Sequence, residues 1–233
     1  MKRKILKIVS FLCLILSILF ILFALFEMRE QEEEKEKNDE IIEEAAPKKA
    51  IPEDPLDRVI DWAYLKSVNP DIIAWLYIPG TAIDYPVCHS EGDYYLRRNI
   101  YRQYSSPGSL FTNETMEYPH IVIFGHNMNS DRMFGRLQES GFQTAYIYTP
   151  DGAGRYKKIS DLICTKQDSI FQRGFSFGKQ YKEWLEKQGI EIEEKEQVVS
   201  LAVCADGNRS KRYVANIVCE ERRMANAASD QNT

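Results

Sequence analysis

Cys204 closes the apolar run Val198-Val199-Ser200-Leu201-Ala202-Val203, and Arg212 opens the next, Tyr213-Val214-Ala215-Asn216-Ile217-Val218, across a polar connector that holds Asp206-Gly207. Two β-rich runs joined by a short loop with an Asp-Gly pair read as an antiparallel hairpin, which brings a thiol and a guanidinium to one rim of a sheet. A third run, Ile121-Val122-Ile123-Phe124, ends in Gly125-His126-Asn127 and leaves an imidazole at a strand end. Thiol, imidazole and guanidinium are the parts needed for acyl transfer through a thioester. Each has a plainer alternative: Cys204 as a core filler, His126 as a surface or satisfied histidine, Arg212 as a solvated strand-start residue. Arg209, in the same connector, rivals Arg212 for the cationic role. Arg212 is preferred because it directly precedes the apolar strand, so the sheet fixes its position.

The elements that must position these groups start near residue 54. Asp54-Pro55 followed by Leu56, Val59, Ile60, Ala63, Tyr64 and Val68 gives an N-cap and helical apolar spacing, so an amphipathic helix is expected to end before Asn69-Pro70. Short runs rich in β-branched and aromatic residues follow at 72–77, 83–88, 109–112, 120–124, 145–148, 156–164, 198–204 and 212–219. Pro79-Gly80, Pro107-Gly108 and Pro150-Asp151-Gly152 punctuate them. Many short strands with turn signals predict a mainly β domain, a sandwich or a barrel. Residues 177–189 read as a helix with a glycine stop, inserted before the cysteine strand, and the polar tail 222–233 reads as frayed.

Residues 8–26 carry no charge, and as a helix they span roughly 28 Å, close to the hydrocarbon thickness of a bilayer. Lys2, Arg3, Lys4 and Lys7 precede this stretch while Glu27, Glu30, Glu32, Glu33 and Glu34 follow it, which puts the N-terminus in the cytoplasm and the remainder outside. A cleaved signal peptide is the competing reading, but the stretch is long for one and lacks a clean small-x-small site. The expected layout is a cytoplasmic N-terminus at 1–7, a retained single-pass anchor at 8–26, a charged extracytoplasmic linker at 27–53, one catalytic domain at 54–221 and a tail at 222–233. The chain has 233 residues, 44% hydrophobic, with 13 Tyr and 11 Phe, enough for one domain with a sizeable core. Its net charge of -5 offers no nucleic-acid footprint. Five cysteines, with Cys13 in the apolar segment, do not make a complete disulfide framework. Cys88 and His89 are strand neighbours pointing to opposite faces, and no Cys-x-x-Cys or His-x-x-x-His spacing indicates zinc. Cys88, Cys164 and Cys219 read as core residues, and no cofactor is called for.

Several strings, taken together, resemble the sortases, specifically class B. They are Ile78-Pro79-Gly80-Thr81 with Ile83-Asp84-Tyr85-Pro86-Val87, then Tyr95-Leu96, then Phe124-Gly125-His126-Asn127-Met128 with Met133-Phe134, then Cys204 and Arg212-Tyr213-Val214. The resemblance implies an eight-stranded sortase-type β-barrel with an N-terminal helix and a helical insertion before the cysteine strand. It also implies a membrane-anchored cysteine transpeptidase of Gram-positive bacteria that acts on surface proteins bearing a C-terminal sorting signal. The acceptor would be an amine of peptidoglycan or of a pilin. Cys204 would be the nucleophile, His126 the acid and base, and Arg212 the cation against the carbonyl oxygen. Leu96 and Phe124 match positions bordering the substrate groove and read equally as core. The chain departs from the family pattern at Val203, where a threonine is usual, at Ala202 and at Phe124, which bears on sorting-signal preference. An extracytoplasmic cysteine hydrolase of cell-wall peptides and a non-catalytic anchored binding module are the rival functions.

Overall fold

A computed structural model of the chain describes residues 2–46, 51–128, 130–193, 195–205 and 208–225; for residues 2, 6, 30, 31, 34, 35, 38, 204, 205, 208 and 209 it describes the backbone alone. Two units are distinguished, Met1–Glu43 and Glu44–Thr233. The first is carried by helix α1 (Lys2–Ala45), whose segment Arg3–Arg29 is long and apolar enough, by length and composition, to cross a membrane. Ser17 Oγ donates to the Leu14 carbonyl at 2.8 Å, so its hydroxyl is satisfied inside the helix, as an apolar surround requires. The helix does not end with the apolar stretch but runs on through the acidic residues 27–44.

In the second unit eight strands close into a barrel: β1 (Ile72–Tyr77), β2 (Asp84–His89), β3 (Leu110–Thr112), β4 (His120–Phe124), β5 (Thr144–Thr149), β6 (Gly152–Thr165), β7 (Val198–Ala205) and β8 (Asn208–Met224), in the spatial order β1-β2-β3-β4-β7-β8-β6-β5. All eight runs expected from the sequence are strands, and closure decides between sandwich and barrel. Two neighbouring pairs, β2 with β3 and β4 with β7, are parallel; the other pairs are antiparallel. Parallel neighbours need long crossovers, and the β6–β7 crossover holds the inserted helix α3 (Lys179–Gln188). Gly189 stops α3 in the left-handed conformation, φ 65°, where a residue without Cβ is favoured.

That insertion explains the unbroken apolar runs of β4, β7 and β8. One set of alternating residues, including Ile121, Ile123, Val199, Leu201, Val203, Ala215 and Ile217, fills the barrel. The other set, Val122, Val198, Ala202, Val214 and Val218 with Cys164 of β6, is buried under Ile170, Phe175, Tyr181, Trp184, Leu185 and Ile190 of the insertion. Strands covered on both faces lose the polar alternation of a half-exposed sheet.

The structure corrects three sequence expectations. The helix expected over 54–68 is broken: Asp54 caps a 3-10 turn at Pro55–Asp57, the chain extends at Arg58, and α2 (Trp62–Val68) starts from an Asp61 cap. The cause is Arg58, which is buried and must reach the carboxylate of Asp84, with Nη1–Oδ1 at 2.7 Å and Nη2–Oδ2 at 3.1 Å. Trp75 Nε1 donates to the same carboxylate at 2.6 Å, and the guanidinium lies 5.9 and 5.4 Å from the ring centroids of Trp75 and Tyr77. A buried charge is retained only when it is paired and hydrogen-bonded in this way. The tail expected from residue 222 instead continues β8 to Met224, with Arg222, Arg223 and Met224 paired to Gly154, Ala153 and Gly152. Arg223 holds that end through Asp54 and Asp57, each at 2.5 Å. Cys219, expected in the core, is half-exposed, its thiol 3.4 Å from the Glu221 carbonyl. Cys88 and Cys164 are buried as expected.

Candidate active site

β4 and β7 run side by side in parallel, pairing His120 with Val198 and Phe124 with Ala202. The Gly125 N–H then donates to the Ala202 carbonyl at 3.2 Å. Counting two residues on from each member of the last pair reaches His126 on one chain segment and Cys204 on the other, at the same rim. β8 returns antiparallel on the far side of β7, with Cys204 opposite Arg212 and Ala202 opposite Val214. Neighbouring strands lie about 4.8 Å apart, so the backbone brings the three sequence-selected positions together as consecutive stations. Asp206-Gly207, the expected turn, lies outside the described residues; the strand positions flanking it, Ala205 and Asn208, are paired. Arg209 is described by its backbone alone.

His126 is half-buried and held from both sides. Its carbonyl accepts the Phe134 N–H at 3.1 Å, and Asn127 bridges to Met133. Gly125 makes this packing possible, because a Cβ there would stand 2.5 Å from Phe134 Cδ2 and 2.7 Å from Leu110 Cδ2. The imidazole Nε2 is 2.7 Å from the Leu96 carbonyl oxygen. A carbonyl only accepts, so Nε2 carries the proton of the neutral ring and Nδ1 is the basic nitrogen. Burial pushes the imidazole below its usual range; the Leu96 carbonyl opposes this, and the Arg97 charge adds to the lowering. The neutral ring is therefore the resting form at neutral pH.

Arg212 is half-buried, its Nη1 donating to the Lys211 carbonyl at 2.9 Å. On its other side it is opposite Cys164 of β6. Burial pushes that thiol up to about 11, Asp168 adds to the rise, and Arg212 opposes it. Cys164 is thus a protonated filler at neutral pH, and the nearby guanidinium does not make it a nucleophile. Leu96 sits in the 3-10 turn Tyr94–Arg97 and meets His126 through its backbone. Phe124 is half-buried, stacked on Phe111 at 5.4 Å and on Phe171 of the insertion at 6.3 Å. The sequence leaves both residues open between groove and core; for Leu96 the group that meets His126 is its carbonyl.

His120, at the opposite end of β4, went unnoticed in the sequence. It is fully buried, with Nδ1 3.0 Å from the Gln172 carbonyl and Nε2 2.9 Å from Ser200 Oγ. Its only local signal is a histidine opening an apolar run after Tyr118-Pro119, which does not distinguish it from a solvent-facing strand start. Phe171 was equally silent, because its partner Phe124 lies far away in the chain.

No family model matches the chain. It is 24% identical over 172 residues to the sortase B of Staphylococcus aureus, covering 64% of this chain and 70% of that protein. It is 27% identical over 161 residues to the sortase B of Listeria monocytogenes, covering 60% of this chain and 65% of that protein. Among solved structures it resembles sortase B of B. anthracis in complex with AAEK1, with TM-score 0.67 and 22% identity over 82% of this chain and 98% of that one. That likeness carries the fold, a closed barrel of eight strands.

Proposed function

We propose that this chain, which belongs with the class B sortases in sequence and fold, is a membrane-anchored cysteine transpeptidase. Its catalytic domain would lie outside the cell and its N-terminus in the cytoplasm. The substrate class is a surface protein carrying a C-terminal sorting signal, and the acceptor is an amine of peptidoglycan or of a pilin. The observation that carries the reading is the register of three neighbouring strand ends, His126 after β4, Cys204 on β7 and Arg212 on β8.

Cys204 is the nucleophile. The neutral His126 takes the thiol proton, the thiolate attacks the carbonyl carbon before the scissile bond, and the carbonyl pair moves onto oxygen. Arg212 supplies permanent charge and forked donors for that oxygen, a role in which loss of one donor costs about 3 kcal/mol. When the tetrahedral species collapses, the C–N bond breaks and the imidazolium gives its proton to the departing amine. A thioester remains on Cys204. The acceptor amine attacks it, His126 receives the amine proton, and the returning sulfur pair is protonated to restore the thiol. Leu96 holds the imidazole tautomer through its carbonyl. Phe124 forms part of the wall along which the sorting signal lies.

The test is Cys204→Ala in the full chain, with sorting peptides and a labelled amine. The parent should form a thioacyl adduct of the expected mass and incorporate the amine, and the variant should do neither. Adduct formation followed by water capture alone would turn the reading to a hydrolase. Turnover surviving in the variant would overturn it.

A further inference from the structure

Four polar side chains form a line across the face that the insertion covers, three of them buried and the last, Ser160, exposed. His120 of β4 meets Ser200 Oγ of β7 at 2.9 Å, Ser200 meets Asn216 Oδ1 of β8 at 2.7 Å, and Asn216 Nδ2 meets Ser160 Oγ of β6 at 3.0 Å. His120, Ser200 and Asn216 are at most 1% exposed. The other nitrogen of His120 leaves the sheet and hydrogen-bonds the Gln172 carbonyl at 3.0 Å. Its ring also lies 4.2 Å from the Trp184 ring and 6.3 Å from that of Phe175. Trp184 Nε1 in turn donates to the Ser169 carbonyl at 2.8 Å. The imidazole therefore ties the barrel to Gln172 at one end of the short segment 169–172, and Trp184, packed beside it, holds Ser169 at the other.

What that segment carries gives the tie its consequence. Gln172 follows directly after Phe171 in the turn Ser169–Phe171, and Phe171 stacks on Phe124 with an interplanar angle of 23°. Phe124 is two residues before His126 and pairs with Ala202, two residues before Cys204. A shift of the Gln172 carbonyl thus moves the aromatic wall beside the reacting groups. A carbonyl accepts only, so Nδ1 bears the proton in the neutral ring and Nε2 faces the Ser200 hydroxyl, whose oxygen also lies 2.7 Å from Asn216 Oδ1, while Asn216 Nδ2 donates to Ser160 Oγ. A hydrogen-bonded line of this kind, buried at His120, Ser200 and Asn216, specifies one geometry.

We propose that His120 is a positioning residue that fixes the Phe171 wall against Phe124, and with it the seat of the bound sorting signal, through its hydrogen bond to the Gln172 carbonyl. This rests on the transpeptidase reading for its activity readout, but the tether itself is testable without substrate.

The experiment compares the full chain in detergent with His120→Phe, which keeps a ring beside Trp184 and removes both hydrogen bonds, and with His120→Asn, whose amide restores a donor near the Nδ1 position. For His120→Phe, KM for a sorting peptide should rise about 10-fold with kcat within about 3-fold of the parent, and His120→Asn should recover most of the KM. Amide exchange over 169–192 should speed up about 10-fold in His120→Phe and return towards the parent in His120→Asn. Phe171→Ala should reproduce the KM rise with the imidazole intact. Unchanged KM in Phe171→Ala overturns the proposal whether or not His120→Phe folds. So does a His120→Phe protein with parental KM and parental exchange. If the parent turns over no sorting peptide while the exchange pattern holds, the transpeptidase reading fails and the tether stands.

Discussion

The two ends of β4 each carry a histidine, and the strand treats them in opposite ways. His120 opens the strand under the insertion, fully buried, with both nitrogens engaged. His126 follows the other end at the rim, half-buried, with one nitrogen held by a backbone carbonyl. Burial lowers the proton affinity of both rings, to about 4 for His120. The difference lies in which nitrogens are committed. A ring with both atoms locked into structural partners cannot pass a proton to substrate, whereas a ring anchored through Nε2 keeps Nδ1 available. Perturbed proton affinity alone would have ranked the structural histidine first; geometry reverses the order.

The largest expected effect tests the rim. His126→Ala should lower kcat/KM by about 10²–10⁴ while leaving the denaturant midpoint near the parent value, read by single-turnover thioester formation and urea unfolding. A large stability loss with modest rate loss would erase the contrast with His120. The next effect tests the buried end through pH. The folded pKa of His120 is depressed to about 4 from an ordinary value of about 6.5, so the unfolded state binds the proton first as pH falls. Stability is full above about pH 6.5 and declines towards pH 4, by roughly 3 kcal/mol. Urea titrations of the parent and of His120→Asn at pH 7 and pH 4 should differ by that share, and parallel pH dependences would contradict it.

Gly125→Ala should cost about 1–3 kcal/mol by forcing Phe134 and Leu110 apart, and should slow the chemical step because His126 is the next residue. Thermal unfolding together with turnover checks both parts. The smallest effect sharpens the description of the rim. A base must be neutral, so activity falls as pH drops through the His126 pKa, and that acid limb should lie below about pH 6.5. Arg97→Gln removes one of the lowering influences, so the limb should move to higher pH in the kcat/KM profile, and less at high salt.

Much of this molecule was readable along the chain. Eight β runs, the α3 glycine stop and the Cys204–Arg212 pairing follow from side-chain period, β-branched composition and turn residues, which act locally. The unreadable parts share a cause. The break at Arg58 answers to Asp84, the extension of β8 past residue 221 answers to Asp54, Asp57 and the start of β6, and the burial of His120 answers to Gln172. None of those partners is near in sequence. Leu96 reads as a groove or core side chain, but what meets His126 is its carbonyl, a group that every residue possesses and no sequence pattern marks.

The sequence by itself determined the elements and the chemical inventory: a chain with one apolar helix, a β domain, and a thiol, an imidazole and a guanidinium each set at the end of a strand-forming run. Only the tertiary structure decided which strand ends are neighbours and which histidine is buried with both ring nitrogens engaged. Both depend on pairing between segments distant in the chain, where the parallel register of β4 with β7 and the packing of the insertion select among arrangements that local preferences leave nearly equal in energy.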